Sequence, residues 1–248
     1  PPGSVFKVVT AATALDQGLY TTNSAFYDTG ELRVEGNIIR NYGDEIFYEH
    51  DFADSVISSI NTTIAKVGLE VGTQGLTQYF ERWQLNSRPD FSLPASAGGI
   101  GNTQSSKVNL AWTSVGQGQV LLTPFHVASL FTVFPNEGVL PKFSLIKGSE
   151  FGESTQVLQK DTAQLMQEIL SLVISEGTGK AAFVDGLNLG GKTGTAETGK
   201  SSPHAWFGGY VTGVNDSPFA FAVLVEDGGV GGVVAAPLVN QFLTALIN

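Results

Sequence analysis

Apolar positions recur at three- and four-residue spacing near the start of the chain. Val5, Val8, Val9, Ala12 and Leu15 form one stripe between Pro2-Gly3 and Gly18. This predicts a helix over residues 4–17 with the stripe as its buried face. Residues 19–51 break into short extended pieces punctuated by Asp28-Thr29-Gly30 and Glu35-Gly36, a loose hairpin-rich insertion. Helical spacing returns over 52–72, with Asp51 as N-cap, a polar joint at Ser58-Ser59-Ile60-Asn61 and Gly72 as the stop. A further short helix is expected over 73–83, a loop over 89–103, and helices over 124–134 and 161–176. After Lys180 the character changes. Residues 189–196, 205–214 and 219–226 are aromatic- and β-branched-rich runs separated by turn residues such as Asn215-Asp216. They read as an antiparallel meander, followed by a closing helix over 237–247 with Pro237 in its first turn.

Composition narrows the function. The 248 residues carry 13 Lys+Arg against 23 Asp+Glu, a formal charge of −10, so no basic field collects nucleic acid or anionic lipid. One compact domain fits this length. Cysteine is absent, which removes thiol nucleophiles, iron–sulfur clusters and disulfides together. His50, His126 and His204 lie far apart in no paired-ligand spacing, so a histidine-dependent mechanism is not favoured. The longest apolar run, residues 219–225, is strand-sized and far short of a membrane span. The chain opens Pro1-Pro2-Gly3-Ser4 with neither an initiator Met nor an export-signal pattern. It reads as an internal piece, with any anchor or export signal upstream.

Three short motifs permit chemistry. Ser4 and Lys7 stand one helical turn apart at a helix start, where an amine can take a serine proton. The positive end of the helix dipole should lower the lysine pKa and favour a developing oxyanion. A second Ser144-x-x-Lys147 lies in a strand-like alternation at Phe143-Ser144-Leu145-Ile146, which would aim the two side chains apart. Ser59-Ile60-Asn61 falls at a helix joint, where a hydroxyl and an amide two residues apart on extended backbone can face one cleft. Capping explains the same residues equally well. Lys192-Thr193-Gly194-Thr195 opens the meander on a small-residue strand edge, where an added peptide strand could lie and meet a lysine and hydroxyls. An ordinary glycine-weakened edge strand is the plainer reading.

In this order and setting, S-x-x-K, S-x-N and K-T-G resemble the penicillin-binding proteins, the serine D,D-transpeptidases of peptidoglycan synthesis, and more distantly the serine β-lactamases. Pro2-Gly3-Ser4-Val5-Phe6-Lys7, Leu93-Pro94, Val115-Gly116-Gln117-Gly118-Gln119 with Thr123-Pro124, the stretch 191–197 and Ala205-Trp206-Phe207-Gly208 extend the likeness over nearly the whole chain. The resemblance implies an α/β fold of the α+β type, with an antiparallel central sheet flanked by helices and a helical subdomain over residues 8–185. It implies that Ser4 attacks the carbonyl between two D-alanines of a stem peptide while Lys7 receives its proton. Ser59 would relay a proton to the leaving amine with help from Lys192, and Asn61 would hold the substrate amide. Thr193, Gly194 and Thr195 would bind the substrate, the two hydroxyls taking its carboxylate, and the N–H groups of Ser4 and Thr195 would form the oxyanion hole. A second stem peptide would resolve the acyl-enzyme, penicillin would acylate Ser4 and stay, and no metal or cofactor would enter. The implied setting is extracytoplasmic and membrane-anchored through a segment absent from this chain, beside a glycan polymerase. Only three residues precede Ser4, so the sheet strands that this family places before its nucleophile are expected to be missing, with one sheet edge left bare and the isolated piece poorly stable.

Rivals share parts of the pattern. A β-lactamase would need a deacylating glutamate, and Glu81 in Glu81-Arg82-Trp83-Gln84-Leu85-Asn86 has one residue too many and follows Ser59 too closely. It reads as a helix-surface charge. D,D-carboxypeptidases and β-lactam sensor domains carry the same three motifs. The P-loop pattern also matches at residues 186–193 and 194–201, but neither match opens a helix.

Overall fold

The computed structural model describes residues 1–89, 93–146, 153–199, 202–213 and 218–247. A 3-10 turn, Gly3–Phe6, leads directly into α1 (Lys7–Asp16). The insertion follows as β1 (Ala25–Asp28), β2 (Glu31–Val34), β3 (Asn37–Arg40) and β4 (Tyr48–Asp51), then α2 (Phe52–Ile57) and α3 (Asn61–Arg82). Next come α4 (Lys107–Ser114), α5 (Pro124–Thr132), the short pair β5 (Val139–Leu140) and β6 (Thr155–Gln156), and α6 (Lys160–Ser175). The chain closes with β7 (Asn188–Ala196), β8 (His204–Thr212), β9 (Phe219–Val225) and α7 (Ala235–Ile247).

The sheet β7-β8-β9 is antiparallel, with Lys192 opposite Gly208 and Gly208 opposite Ala222. Its two faces follow the strand period of two. Trp206 and Tyr210 join one apolar core with α1, α3 and α5, while Ala205, Phe207 and Val211 join a second core under α7. Residues 219–225 lie partly buried with alternate side chains against the two cores, which is why they read as a continuous apolar run. The first core surrounds α1, whose residues Lys7–Leu15 are all buried. A helix buried on every side belongs at a domain centre, and the hydroxyls of its Thr10 and Thr13 are satisfied by the Ser114 and Val9 carbonyls. It packs against α3 and α6 and delivers its N-terminus to β7. Beyond β8, β9 has no further strand partner among the described residues, and Leu238, Phe242 and Leu246 of α7 are 40%, 50% and 42% exposed.

Most predicted elements form, with instructive differences. Asp51 caps α2 reciprocally with Asp54, a device that contributes about 1 kcal/mol. Gly72 does interrupt the helical geometry (φ 73°), yet the helix resumes at once, so α3 continues to Arg82. The helix α4 emerges from a stretch whose pattern gave no periodic signal. Residues 143–146 form no strand, and the chain bends at 145–146, where the Ser144 hydroxyl accepts the Ile146 N–H. Lys147, Lys200, Ser201 and the turn at Asn215-Asp216 lie outside the described residues. The first P-loop match runs into β7, not a helix, and Glu81 is exposed on α3.

His126 ties α5 to the turn after α3. Its Nε2 lies 3.0 Å from the Ser87 carbonyl, which only accepts, and its Nδ1 3.3 Å from the Thr123 N–H, which only donates. The buried ring is therefore held neutral, and burial lowers its pKa while the Ser87 bond works weakly the other way. A folded pKa below the unfolded value of about 6.5 means that the unfolded chain binds the proton first on acidification. Stability contributed by the neutral ring is thus present above that value and is lost as pH falls below it. Denaturant melts of the protein at pH 7.5, 6.5 and 5.5 should show this slope, and His126→Gln should flatten it relative to the unsubstituted protein.

Candidate active site

The three motifs converge at the N-terminus of α1. The 3-10 turn places Ser4 half-buried beside β7, one turn before Lys7. That turn is held by bonds from distant residues: Gly3 N–H donates to Gly116 O at 3.0 Å, and the Trp206 indole donates to Pro1 O at 3.0 Å. Close approach is possible because Gly194 has no side chain, since a Cβ there would stand 2.6 Å from Pro2 O.

Lys7 and Lys192 are both 0% exposed. The Lys7 amine lies 2.5 Å from Ser59 O and 3.1 Å from Ser59 Oγ. Burial holds the Lys7 pKa well below the ordinary lysine value, and the charge of Lys192 lowers it further. The lowering expected from the sequence is therefore present, but its main causes are desolvation and a second lysine instead of the helix dipole. Burial alone brings Lys192 down to about 7. Its amine is 3.4 Å from Thr193 O.

Ser59 meets Lys7 by a different route from the extended backbone expected. It occupies the left-handed region (φ 62°), a conformation that costs a non-glycine residue about 1–2 kcal/mol. The reversal ends α2, turns the Ser59 hydroxyl and carbonyl to Lys7, and lets Asn61 open α3. The Asn61 amide donates to Arg40 O at 2.7 Å, so its Nδ2 is tied to the hairpin insertion. Beneath it sits a buried polar hub that the sequence did not reveal. The Asp28 carboxylate accepts from Thr62 Oγ1 (2.6 Å), Asn41 Nδ2 (2.8 Å), Gly30 N (3.0 Å) and Phe47 N (3.0 Å). Burial pushes its pKa up, but these bonds outweigh it and hold the carboxyl below its usual value. Asn41 Oδ1 in turn accepts the Thr62 N–H, so the insertion fixes the first turn of α3.

On β7, Thr193 and Thr195 share the face opposite Lys192. The Thr193 hydroxyl is 2.7 Å from that of Thr178, an exposed residue with no motif to announce it. Thr195 Oγ1 accepts the Gly231 N–H at 3.1 Å. The Thr195 carbonyl bonds Gln117 Nε2 at 3.2 Å instead of β8. In an antiparallel ladder the N–H and C=O of one residue point the same way, so the Thr195 N–H also leaves the sheet edge on the side of Ser4. Every sequence-predicted site residue lies in this one region. Among the described residues no group of histidines and carboxylates is placed to hold a metal.

A family model, the penicillin binding protein transpeptidase domain, matches residues 1–244. The chain belongs to this family. It is 28% identical to stage V sporulation protein D of Bacillus subtilis over 98% of its own length and 41% of that protein. It is 27% identical to the peptidoglycan D,D-transpeptidase PbpA of Mycolicibacterium smegmatis over 100% of its own length and 55% of that protein. The chain thus spans about half the length of such relatives. Among solved structures, the ceftriaxone acyl-enzyme of penicillin-binding protein A from M. tuberculosis superposes with a TM-score of 0.89 at 26% identity, covering 100% of this chain and 61% of that one. The D,D-transpeptidase domain of a peptidoglycan glycosyltransferase from Eggerthella lenta gives 0.87 at 28% identity, covering 99% and 64%. The fold expected for this transpeptidase domain, an antiparallel sheet flanked by helices, is the fold present.

Removing the Asp28 carboxylate strands several buried donors at once. Asp28→Ala should cost about 2–4 kcal/mol in denaturant melts, whereas Glu81→Ala on the exposed end of α3 should change stability by less than about 0.5 kcal/mol.

Proposed function

We propose that this domain is a serine D,D-transpeptidase that cross-links peptidoglycan stem peptides and is acylated by β-lactams. The observation that carries this reading is a buried lysine with a lowered pKa, 3.1 Å from Ser59 Oγ and one turn from Ser4. An amine whose burial disfavours its charged form is a competent base, and Ser4 is the hydroxyl within its turn.

In the first step Ser4 Oγ attacks the carbonyl joining two D-alanines, and its proton passes to the Lys7 lone pair. The N–H groups of Ser4 and Thr195 stabilise the oxyanion; two fixed donors of this kind each contribute about 10²–10³ in rate. Lys7 then returns the proton through Ser59 to the departing D-alanine nitrogen. An amine from a second stem peptide attacks the ester and forms the new amide, and the proton it gives up passes by way of Lys7 to Ser4 Oγ, which is freed. Lys192, its pKa brought down to about 7 by burial, helps Ser59 pass the proton to the leaving amine, while Thr193 and Thr195 on the other face of β7 take the substrate's C-terminal carboxylate. Gly194 between them admits the Gly3–Phe6 turn, and Asn61 offers Oδ1 to the peptide N–H. Thr178 adds a hydroxyl beside Thr193 that the sequence gave no reason to include.

Peptidoglycan lies outside the cytoplasmic membrane, so the domain works there, tethered through a part of the protein outside this chain. A membrane-bound glycan polymerase is its natural neighbour, and the name of the Eggerthella lenta protein points to such chemistry in a relative. No helix among the described residues is long and apolar enough to cross a membrane.

Incubation with benzylpenicillin followed by peptide mass spectrometry should place one long-lived adduct on Ser4, absent in Ser4→Ala; an adduct elsewhere, or rapid turnover, would overturn the assignment. The acylation rate should rise with pH as Lys7 loses its proton. In Lys192→Met the neighbouring positive charge is gone, Lys7 holds its proton more tightly, and the acid limb of the residual rate should move to higher pH. An unmoved limb would show that Lys192 does not act on Lys7.

A further inference from the structure

The two donors proposed for the oxyanion hole belong to segments nearly 200 residues apart, the Gly3–Phe6 turn and β7. They touch where Gly194 lies against Pro2 O, and a third segment holds both. Both are gripped by one dipeptide, Gly116-Gln117, at the end of α4.

The grip follows from how α4 stops. Beyond its C-cap Val115, Gly116 takes the left-handed conformation (φ 81°). Its N–H bonds Thr113 O at 2.8 Å, and the Gln117 N–H bonds Trp112 O at 2.9 Å. This is the Schellman arrangement, which satisfies the last carbonyls of a helix and fixes the exit of the chain rigidly. The turn therefore presents two groups with little freedom. The Gly116 carbonyl accepts the N–H of Gly3, the residue before Ser4. The Gln117 side chain donates to the carbonyl of Thr195, the residue whose own N–H is the second oxyanion donor. Space around the grip is minimal. A Cβ on Gly116 would lie 1.8 Å from Gly3 O, and one on Gly3 would lie 2.6 Å from Thr195 O.

We infer that Gln117 is a positioning residue for the oxyanion hole, its amide fixing β7 at the distance from the Ser4 turn that transition-state binding requires. It touches neither substrate nor reacting atoms. Its effect is on geometry, and a misplacement of about 1 Å in such a constellation costs on the order of 10²-fold in rate. The inference rests on the acylation chemistry proposed above.

The test measures acylation of the intact protein by a fluorescent penicillin in stopped flow, and affinity for a boronic acid, which forms a tetrahedral adduct with a serine hydroxyl and mimics the oxyanion. Gln117→Met keeps the length of the side chain and removes the donor; Gln117→Glu keeps the shape and turns an acceptor toward Thr195 O. Both should lower the acylation rate constant at least about tenfold, leave the dissociation constant for penicillin before acylation within about twofold, and weaken the boronate by about the same factor as the rate. Gln117→Glu supplies the same readout should the methionine variant fold poorly, as judged by its melting temperature. Wild-type acylation in both variants would overturn the inference, as would a slower rate with unchanged boronate affinity or with an equal loss of initial binding. Failure of the unsubstituted protein to be labelled by penicillin is a separate result that overturns the functional reading itself.

Discussion

The site depends on keeping two lysine amines out of water, next to each other. An ammonium stripped of its hydration is costly, and a second one in the same cleft more so, so the fold pays for a base by making protonation unfavourable. Lys7 is sealed on all sides, hydrogen-bonded to a carbonyl and a hydroxyl, both of which a neutral amine can serve. Lys192 comes from a strand and Lys7 from a helix, so their proximity requires α1 to lie against the sheet with no slack. That is the reason for the small residues around the contact and for the burial of α1 on every side.

Other features maintain this packing from outside. The sheet is flanked by two apolar cores, and the alternation of its side chains assigns Lys192 to the face that meets α1 and the two threonines to the other. Ser59 is held in an uncommon backbone conformation by the helices on either side of it. The hairpin insertion, which looks peripheral in the chain, secures α3 through Asp28 and Asn41. Burying that carboxylate is tolerable because each of its bonds comes from a donor that would otherwise be stranded.

The parts of this arrangement that are local were legible in the sequence. Periodicity found α1, α6 and the meander because their apolar residues repeat at the spacing their geometry demands. The three motifs were legible because each pairs residues only two or three positions apart. Contacts between remote segments were not. Gly116-Gln117 was visible as a landmark and Asp28 as part of a turn, but their partners lie in other elements. Thr178 has no local pattern at all. The lowered Lys7 pKa was anticipated in direction, yet its dominant cause, burial beside another lysine, is a property of the assembled core. Ser144 illustrates the reverse error: an alternating pattern suggested a strand where the chain bends at a hydroxyl-to-backbone bond.

The Gly3–Phe6 turn has a consequence for when the domain can work. Its anchors reach it from Gly116, Gly194 and Trp206, so an element made before all three of them is secured only after they form. Synthesis from the N-terminus exposes Ser4 long before β7 and β8 exist. A nascent or truncated chain holding the nucleophile but not those strands has an ordinary solvated lysine and an unreactive serine. Reactivity is thereby postponed until long-range closure is complete, and the slow step of forming distant contacts doubles as a safeguard against premature chemistry.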